Sequence, residues 1–309
     1  MSESAATPQG QPILVLLPDP RLADAMVAAL AIELPEVAPV LYRRDLPDAT
    51  LAPIELAMAW RLPDGLAERM PALRWICATG AGVDKLLVPG LPPQVQVSRV
   101  VDPEQAIGMA QFTALMVLRH ARGLAGYEAQ QRTREWRRQP VAAARHRVLV
   151  LGRGEIGRAV AATLQALGFG VACWHTQAGP LAAMLAEADI VVNTLPLTPG
   201  TSGLLDARAF AAMPRGAYLV NIARGGHVVE PDLIAAVQGG HLSGAALDVQ
   251  QTEPLPPDDP LWAVPGISIT PHIAAQPSWR TMARQFAQGR ACLARGEAPP
   301  NLVDRSRGY

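Results

Sequence analysis

The run Val148-Leu-Val-Leu-Gly152-Arg153-Gly154-Glu155-Ile156-Gly157-Arg-Ala-Val constrains this chain more than any other stretch. Four apolar residues lead into a G-x-G-x-x-G turn, and an alanine-rich helical segment follows. A bare G-x-G-x-x-G is a weak signal, but a strand before it and a helix after it make it a dinucleotide-binding fingerprint. Gly152 permits the tight turn, Gly154 lets backbone approach a pyrophosphate, and Gly157 lets helix and strand pack closely. The helix N-terminus offers N–H groups and positive dipole to the phosphates. A chain built around such a unit folds as a parallel α/β sheet.

Short apolar runs alternate with helical patterns along the whole length, which excludes a sandwich or a bundle. At 309 residues the chain exceeds one ordinary core, so two domains are expected. In the first series the strands are Ile13–Leu17, Glu55–Trp60, Leu73–Ala78 and Val95–Val100, with helices at Arg21–Ile32 and Asp64–Met70. In the second they are Val148–Leu151, Val171–Trp174, Ile190–Leu195, Tyr218–Ile222, Ala245–Val249 and Ile267–Thr270, each bounded by Gly, Pro, Asn or Asp. A helix over Glu104–Leu118, opened by Asp102 and Pro103, joins the two series. A last helix, Trp279–Arg295, is expected to return to the first domain. The fold class is therefore α/β, with two Rossmann-like or flavodoxin-like parallel-sheet domains. Residues 102–275 form the dinucleotide-binding domain, residues 12–101 with 276–309 the other, and residues 1–11 a disordered tail.

Lys+Arg equals Asp+Glu at 27 each, so no global charge draws nucleic acid or an acidic membrane. The stretch Arg119–Arg147 holds eight arginines against Glu128 and Glu135, but without aromatic interleaving it reads as a solvated surface. Cys77, Cys173 and Cys292 lie far apart with no CxxC spacing, which argues against a disulfide framework or a structural zinc and fits a reducing cytoplasm. No apolar run has the length of a membrane span or a signal peptide.

The fingerprint calls for an acid about 20 residues on, to hold the ribose 2′-OH of NAD. The second strand ends instead in Trp174-His175-Thr176-Gln177. Nothing there repels a 2′-phosphate, and His175, Thr176 and Arg153 are potential donors to one, so NADP is favoured over NAD. The segment from Trp174 to Leu181 is also short for a full third strand.

Taken together, Thr79-Gly-Ala81-Gly82-Val-Asp84, the fingerprint, Leu195-Pro196-Leu-Thr198, Asn221-Ile222-Ala223-Arg224-Gly225, Asp248-Val-Gln-Gln-Thr-Glu253-Pro254, Pro271-His272-Ile-Ala-Ala275 and the ending Val303–Tyr309 span most of the chain. In this combination the chain resembles the D-isomer-specific 2-hydroxyacid dehydrogenases, in particular their glyoxylate/hydroxypyruvate reductase branch. The resemblance implies an active-site cleft between the domains and a catalytic trio. Arg224 would bind the substrate's carboxylate and carbonyl, His272 would be the acid/base, and Glu253 its partner. Leu195, Pro196, Ile222 and Ala223 would line the cofactor site, and Asp248 would hold the nicotinamide carboxamide. The amides of Ala81 and Gly82 would cradle the substrate carboxylate.

The chemistry stands on its own terms. Reducing a 2-keto acid takes a hydride to carbon and a proton to oxygen, so a cation must polarise the carbonyl and an acid must lie within reach. Arginine suits the first task because its planar, permanently charged fork matches a carboxylate. The resemblance also implies small 2-keto or 2-hydroxy acids as substrates and a homodimer built on the helix from Glu104. Two rival readings are a dehydrogenase for another D-2-hydroxy acid and a dinucleotide-sensing binding protein of the same fold.

Overall fold

The computed structural model describes residues 12–17, 20–138 and 146–309, so the expected tail, residues 1–11, lies outside the described residues. The chain divides after Asp102 and again before Pro277: the outer segments form one unit and Pro103–Gln276 the other.

The first unit is a five-stranded parallel sheet of β1 (Ile13–Leu16), β2 (Pro39–Leu41), β3 (Leu56–Ala59), β4 (Trp75–Ala78) and β5 (Gln96–Ser98), in the order β2-β1-β3-β4-β5. That is the flavodoxin-like order. Alternate residues of each strand serve opposite cores, as a period of two demands. Ile13, Val15, Met58 and Trp75 pack on one side with α1 (Pro20–Glu33) and α9 (Trp279–Ala294), while Leu14, Leu16, Ala57 and Ile76 pack on the other. Trp75 anchors α9 by stacking on Phe286 at 5.0 Å between ring centroids. The last helix thus belongs to the first unit, and Ser278 caps it by accepting from the Thr281 amide at 3.1 Å.

Two differences from the sequence reading have local causes. The stretch Asp64–Met70 is not an α-helix: only Ala67–Arg69 forms a 3₁₀ turn, because Gly65 takes φ +75° and breaks the helical path. The edge strand β2 and a single turn, α2 (Asp48–Leu51), were too short to show a period.

The second unit contains α3 (Pro103–Ala121), α4 (Leu124–Thr133), β6 (Arg147–Leu151), α5 (Glu155–Ala166), β7 (Gly170–Trp174), α6 (Leu181–Leu185), β8 (Ile190–Asn193), α7 (Ala207–Ala212), β9 (Tyr218–Asn221), α8 (Glu230–Gln238), β10 (Gly244–Leu247) and β11 (Ile267–Ile269). The six expected strands all form, all parallel, in the order β11-β10-β9-β8-β6-β7. Val148, Val150, Ile190, Val192 and Val220 face α3 and α5, and Leu149, Leu151, Val191 and Leu219 face the core under α7 and α8. Each fully buried valine or leucine contributes roughly 1.5–3 kcal/mol.

Compared with the 3-2-1-4-5-6 order of a full nucleotide-binding sheet, the described residues place no strand outside β7. The short link from Trp174 to Leu181 leaves no room for one, and β7 is consequently an edge strand with Gly170 and Ala172 exposed. The order reverses at β6, between β7 and β8, which is where ligands of such sheets bind, beyond the carboxyl ends of the strands. No described helix is long and apolar enough to cross a membrane.

Candidate active site

The carboxyl end of β6 runs straight into the glycine turn. Gly152 takes φ +111°, closed to ordinary side chains, and a Cβ there would lie 2.6 Å from Thr194 Oγ1. A Cβ on Gly157 would stand 2.3 Å from the Gly152 carbonyl oxygen, so α5 sits against the turn only because that position is bare. Gly154, the N-cap of α5, is different: a Cβ on it would meet no protein atom within 4 Å. The fold does not need glycine there, whereas a pyrophosphate approaching the backbone would. These residues therefore fit a dinucleotide.

The side chains around this turn divide by role. Ile156 packs into the core beneath α3. Glu155 is paired with Arg158, whose guanidinium also donates to the Arg153 carbonyl at 3.3 Å. The Arg153 side chain lies close enough to Cys173, in β7, to oppose the upward push that burial gives this thiol. Leu195, Ile222 and Ala223 are nearly buried, and the Leu195 amide donates to Asn193 Oδ1 at 3.2 Å.

The trio follows three neighbouring strands. Arg224 stands three residues beyond β9, Glu253 six beyond β10, and His272 three beyond β11. Parallel strands about 4.8 Å apart bring such loops together at one edge. His272 Nδ1 lies 3.1 Å from Glu253 Oε2, with both side chains about a quarter exposed. Glu253 is itself held, because Oε1 accepts from the Gln250 amide at 3.3 Å. His272 takes φ +56°, a region few non-glycine residues enter. It is held there by its own N–H donating to the Asp248 carbonyl at 2.8 Å.

The Asp248 carboxylate is engaged in the same task. It accepts from the Thr270 hydroxyl at 2.6 Å and from the amides of Ile273 and Ala274 at 2.9 Å each. This buried carboxylate therefore shapes the loop that presents His272, a role the sequence reading did not give it.

Arg224 is half-buried and extended, at φ −144° and ψ 145°. Its Nη1 donates to the Ala223 carbonyl at 2.8 Å. Behind it, Gly225 makes the closest approach in the unit: a Cβ there would fall 1.9 Å from the Gln250 carbonyl carbon. Any larger residue would separate the loop of Arg224 from the segment that carries Glu253.

Several residues that build this edge were given no role from the sequence. Asn193 and Asn221 end β8 and β9 at the same register and are fully buried, with Asn193 Nδ2 donating to Asn221 Oδ1 at 3.0 Å. Asn221 in turn donates to the Arg224 carbonyl at 2.9 Å and accepts from the Ala223 amide at 3.2 Å. Their signal was present: the apolar runs Ile190–Val192 and Tyr218–Val220 each close on an asparagine. His227, also fully buried, was missed.

In the first unit, the loop after β4 carries Ala81 and Gly82, both partly exposed, between buried Gly80 and Val83. Trp60 lies over Gly80, where a Cβ would come within 2.8 Å of the indole, and Lys85 Nζ stands 5.7 Å from the indole centroid. No group of three or more potential metal ligands occurs among the described residues.

Residues 114–274 match the model of the NAD-binding domain of D-isomer-specific 2-hydroxyacid dehydrogenases. A glyoxylate/hydroxypyruvate reductase A of Serratia proteamaculans is 37% identical over 276 residues, 83% of this chain and 88% of the relative. Among solved structures, a D-isomer-specific 2-hydroxyacid dehydrogenase from Xanthobacter autotrophicus in complex with NADPH and MES has a TM-score of 0.87 and 36% identity, covering 97% of this chain and all, 100%, of that one. An NADPH-dependent glyoxylate/hydroxypyruvate reductase from Sinorhizobium meliloti, in complex with NADP and sulfate, has a TM-score of 0.86 and 32% identity over 97% of this chain and 100% of that one.

Proposed function

The chain belongs to the D-isomer-specific 2-hydroxyacid dehydrogenase family, and from that we propose that it reduces small 2-keto acids, glyoxylate and hydroxypyruvate among them, to 2-hydroxy acids at the expense of NADPH. The observation that carries this reading is the 3.1 Å pairing of His272 with Glu253 at the sheet edge where Arg224 also emerges.

Each residue then has a task. Bound at the fingerprint, the reduced nicotinamide supplies the hydride. Arg224 holds the substrate carboxylate with its planar fork and polarises the carbonyl. Glu253 accepts from His272 Nδ1–H, which leaves Nε2–H to pass its proton to the oxygen as that oxygen becomes a hydroxyl. The ring recovers its proton from solvent before the next turnover. Ala81 and Gly82 are assigned to the substrate carboxylate through their amides.

Gly152, Arg153, Gly154, Glu155, Ile156 and Gly157 are assigned to the dinucleotide, with Leu195, Pro196, Ile222, Ala223 and Asp248 on the nicotinamide side. The preference for NADP over NAD rests on Arg153, His175 and Thr176, three donors where a carboxylate would repel a 2′-phosphate. Two structural neighbours with bound NADPH or NADP support it. Residues 102–275 are accordingly the dinucleotide-binding domain, and residues 12–101 with 276–309 the substrate-binding domain.

A homodimer is part of the same proposal. Ile107, Leu115 and Leu118 lie exposed along α3, and Leu124 opens α4. Such a stripe favours a second copy of the chain, which sedimentation would detect as a doubled mass. The three thiols, free in the structure, support a reducing cytoplasmic setting.

The deciding experiment follows nicotinamide absorbance while purified protein meets NADPH or NADH and a panel of 2-keto acids. Turnover is expected with glyoxylate and hydroxypyruvate, faster with NADPH. Turnover only with a bulkier keto acid would move the substrate, and cofactor binding without any turnover would overturn the enzymatic reading.

A further inference from the structure

Arg224 lies beyond β9 as the N-cap of a single 3₁₀ turn, Gly225–His227, whose one turn of backbone leaves the arginine to be held by other contacts. Arg224 is extended, so the direction of its side chain depends on how its peptide planes are fixed. Asn221 grips its carbonyl from one side. From the other, the buried imidazole of His227 brings Nδ1 to 3.1 Å from the same oxygen. The opposite ring nitrogen, Nε2, lies 3.2 Å from the carbonyl oxygen of Pro196, in the loop after β8. Carbonyl oxygens only accept and a neutral imidazole carries a single N–H, so the neutral ring donates to one of these carbonyls at a time, and the tautomer with the proton on Nδ1 is the one that holds Arg224.

One ring thus spans two loops that the mechanism uses for different partners. The Pro196 carbonyl also accepts from Thr201 Oγ1 at 2.7 Å. The backbone completes the join, with the Leu205 amide donating to the His227 carbonyl and the Gly203 amide to the Gly226 carbonyl, each at 2.9 Å. A ring that merely filled space would have no reason to end on a carbonyl at both nitrogens. A buried polar side chain is retained at a cost unless its bonds fix something.

We propose that His227 is a positioning residue for Arg224: its Nδ1 fixes the Arg224 carbonyl, and through it the aim of the guanidinium at the substrate carboxylate. The inference rests on the assignment of Arg224 to that carboxylate. It predicts that the two ring nitrogens do separable work, which isosteric amides distinguish. Asparagine places its amide nitrogen near Nδ1, and glutamine near Nε2.

The test measures steady-state kinetics with glyoxylate and NADPH for His227→Leu, His227→Asn and His227→Gln. In His227→Leu the keto-acid KM should rise about tenfold, the size of one net hydrogen bond, while the NADPH Kd changes less than about threefold. His227→Asn should bring the keto-acid KM back to within about threefold of wild type, and His227→Gln should not. Equal KM values for asparagine and glutamine, or an unchanged KM in the leucine variant, overturn the proposal. If the leucine variant does not fold, the asparagine and glutamine pair decides alone.

A readout independent of turnover separates this inference from the enzymatic reading. Amide hydrogen exchange over residues 222–229 should quicken about tenfold in His227→Gln and stay near wild type in His227→Asn, with residues 148–160 unchanged in both. An inert wild-type protein would overturn the activity and leave this comparison to decide. Equal exchange over residues 222–229 in the two variants would then overturn the role of His227.

Discussion

The two ends of the six-stranded sheet carry the same three kinds of side chain and put them to opposite use. At the carboxyl ends stand Arg224, Glu253 and His272. At the amino ends, where α3 finishes over the first residues of β9 and β11, stand Arg119, Glu128 and His120. The difference lies in which partner the glutamate takes. Glu128 accepts from Arg119 at 2.5 Å, and the guanidinium also donates to Ser268 Oγ at 3.1 Å, so this arginine is committed to the protein. His120 stacks on Tyr218 with centroids 4.1 Å apart, and burial together with the neighbouring His146 pushes its pKa down to about 4. At the other end the glutamate holds the histidine. The comparison teaches that pairing divides such clusters: glutamate on arginine closes a surface, whereas glutamate on histidine is the arrangement the proposed proton donor requires.

The sharpest way to break this contrast is to remove each histidine in turn. His272→Ala should lower the rate of keto-acid reduction ~10²–10⁴-fold, the usual size of an acid/base contribution, while dinucleotide binding persists. His120→Ala should leave kcat/KM within about twofold. Equal losses would mean that the amino end shapes catalysis, and an unaffected His272 variant would remove that ring from the mechanism.

The two arginines give the next largest contrast. A lysine keeps the charge but loses the fork, so Arg224→Lys should reduce kcat/KM for the keto acid by about 10–100-fold, mostly through KM. Arg119→Lys should leave these constants unaltered. Matching behaviour of the two variants would show that the planar fork is not what the carboxyl end uses.

Gly154 sharpens the cofactor half of the comparison. An alanine there meets no protein atom within 4 Å, and the residue's φ of −75° suits any side chain. Gly154→Ala should therefore melt within about 2 °C of wild type, since alanine loses roughly 0.5–1 kcal/mol as the poorer N-cap and regains about as much by stiffening the unfolded chain. Its NADPH Kd, followed by fluorescence titration, should rise about tenfold as the new methyl fills space a pyrophosphate needs. Unaltered affinity would mean that the phosphates sit elsewhere.

What the sequence made legible follows from what each signal depends on. All six strands of the second unit were readable because each is a short apolar run with Gly, Pro, Asn or Asp close by, and the four inner strands are buried on both faces. Three-residue β2 was not, since a half-exposed edge strand has too few residues to show alternation. The residues of the proposed trio were readable in the motifs, and their shared edge follows from the strands β9, β10 and β11 that precede them. Asp248 was legible as a residue of the cofactor side but not as the one that shapes the His272 loop. Its bonds run to Thr270, Ile273 and Ala274, partners more than twenty positions away that only the fold brings near. His227 was harder still. A histidine after two glycines resembles any turn until its ring nitrogens are found on the carbonyls of two different loops.

The smallest effect concerns stability at the amino end. The folded-state pKa of His120, near 4, lies below the ordinary value of 6.5. Above pH 6.5 neither folded nor unfolded chain protonates this ring, and its burial costs nothing. Between pH 6.5 and 4 the unfolded chain takes up a proton that the folded chain refuses, so stability falls as the pH falls, and below about pH 4 the slope from this group ends. With its residual solvent exposure allowed for, the loss from pH 7 to 5 should be about 1–2 kcal/mol. His120→Phe keeps a flat ring against Tyr218 and cannot titrate, so urea unfolding at the two pH values should show that much less loss than in wild type. Equal losses would mean that the ring is protonated in the folded chain after all, and that the amino end is open to water in the way the carboxyl end is.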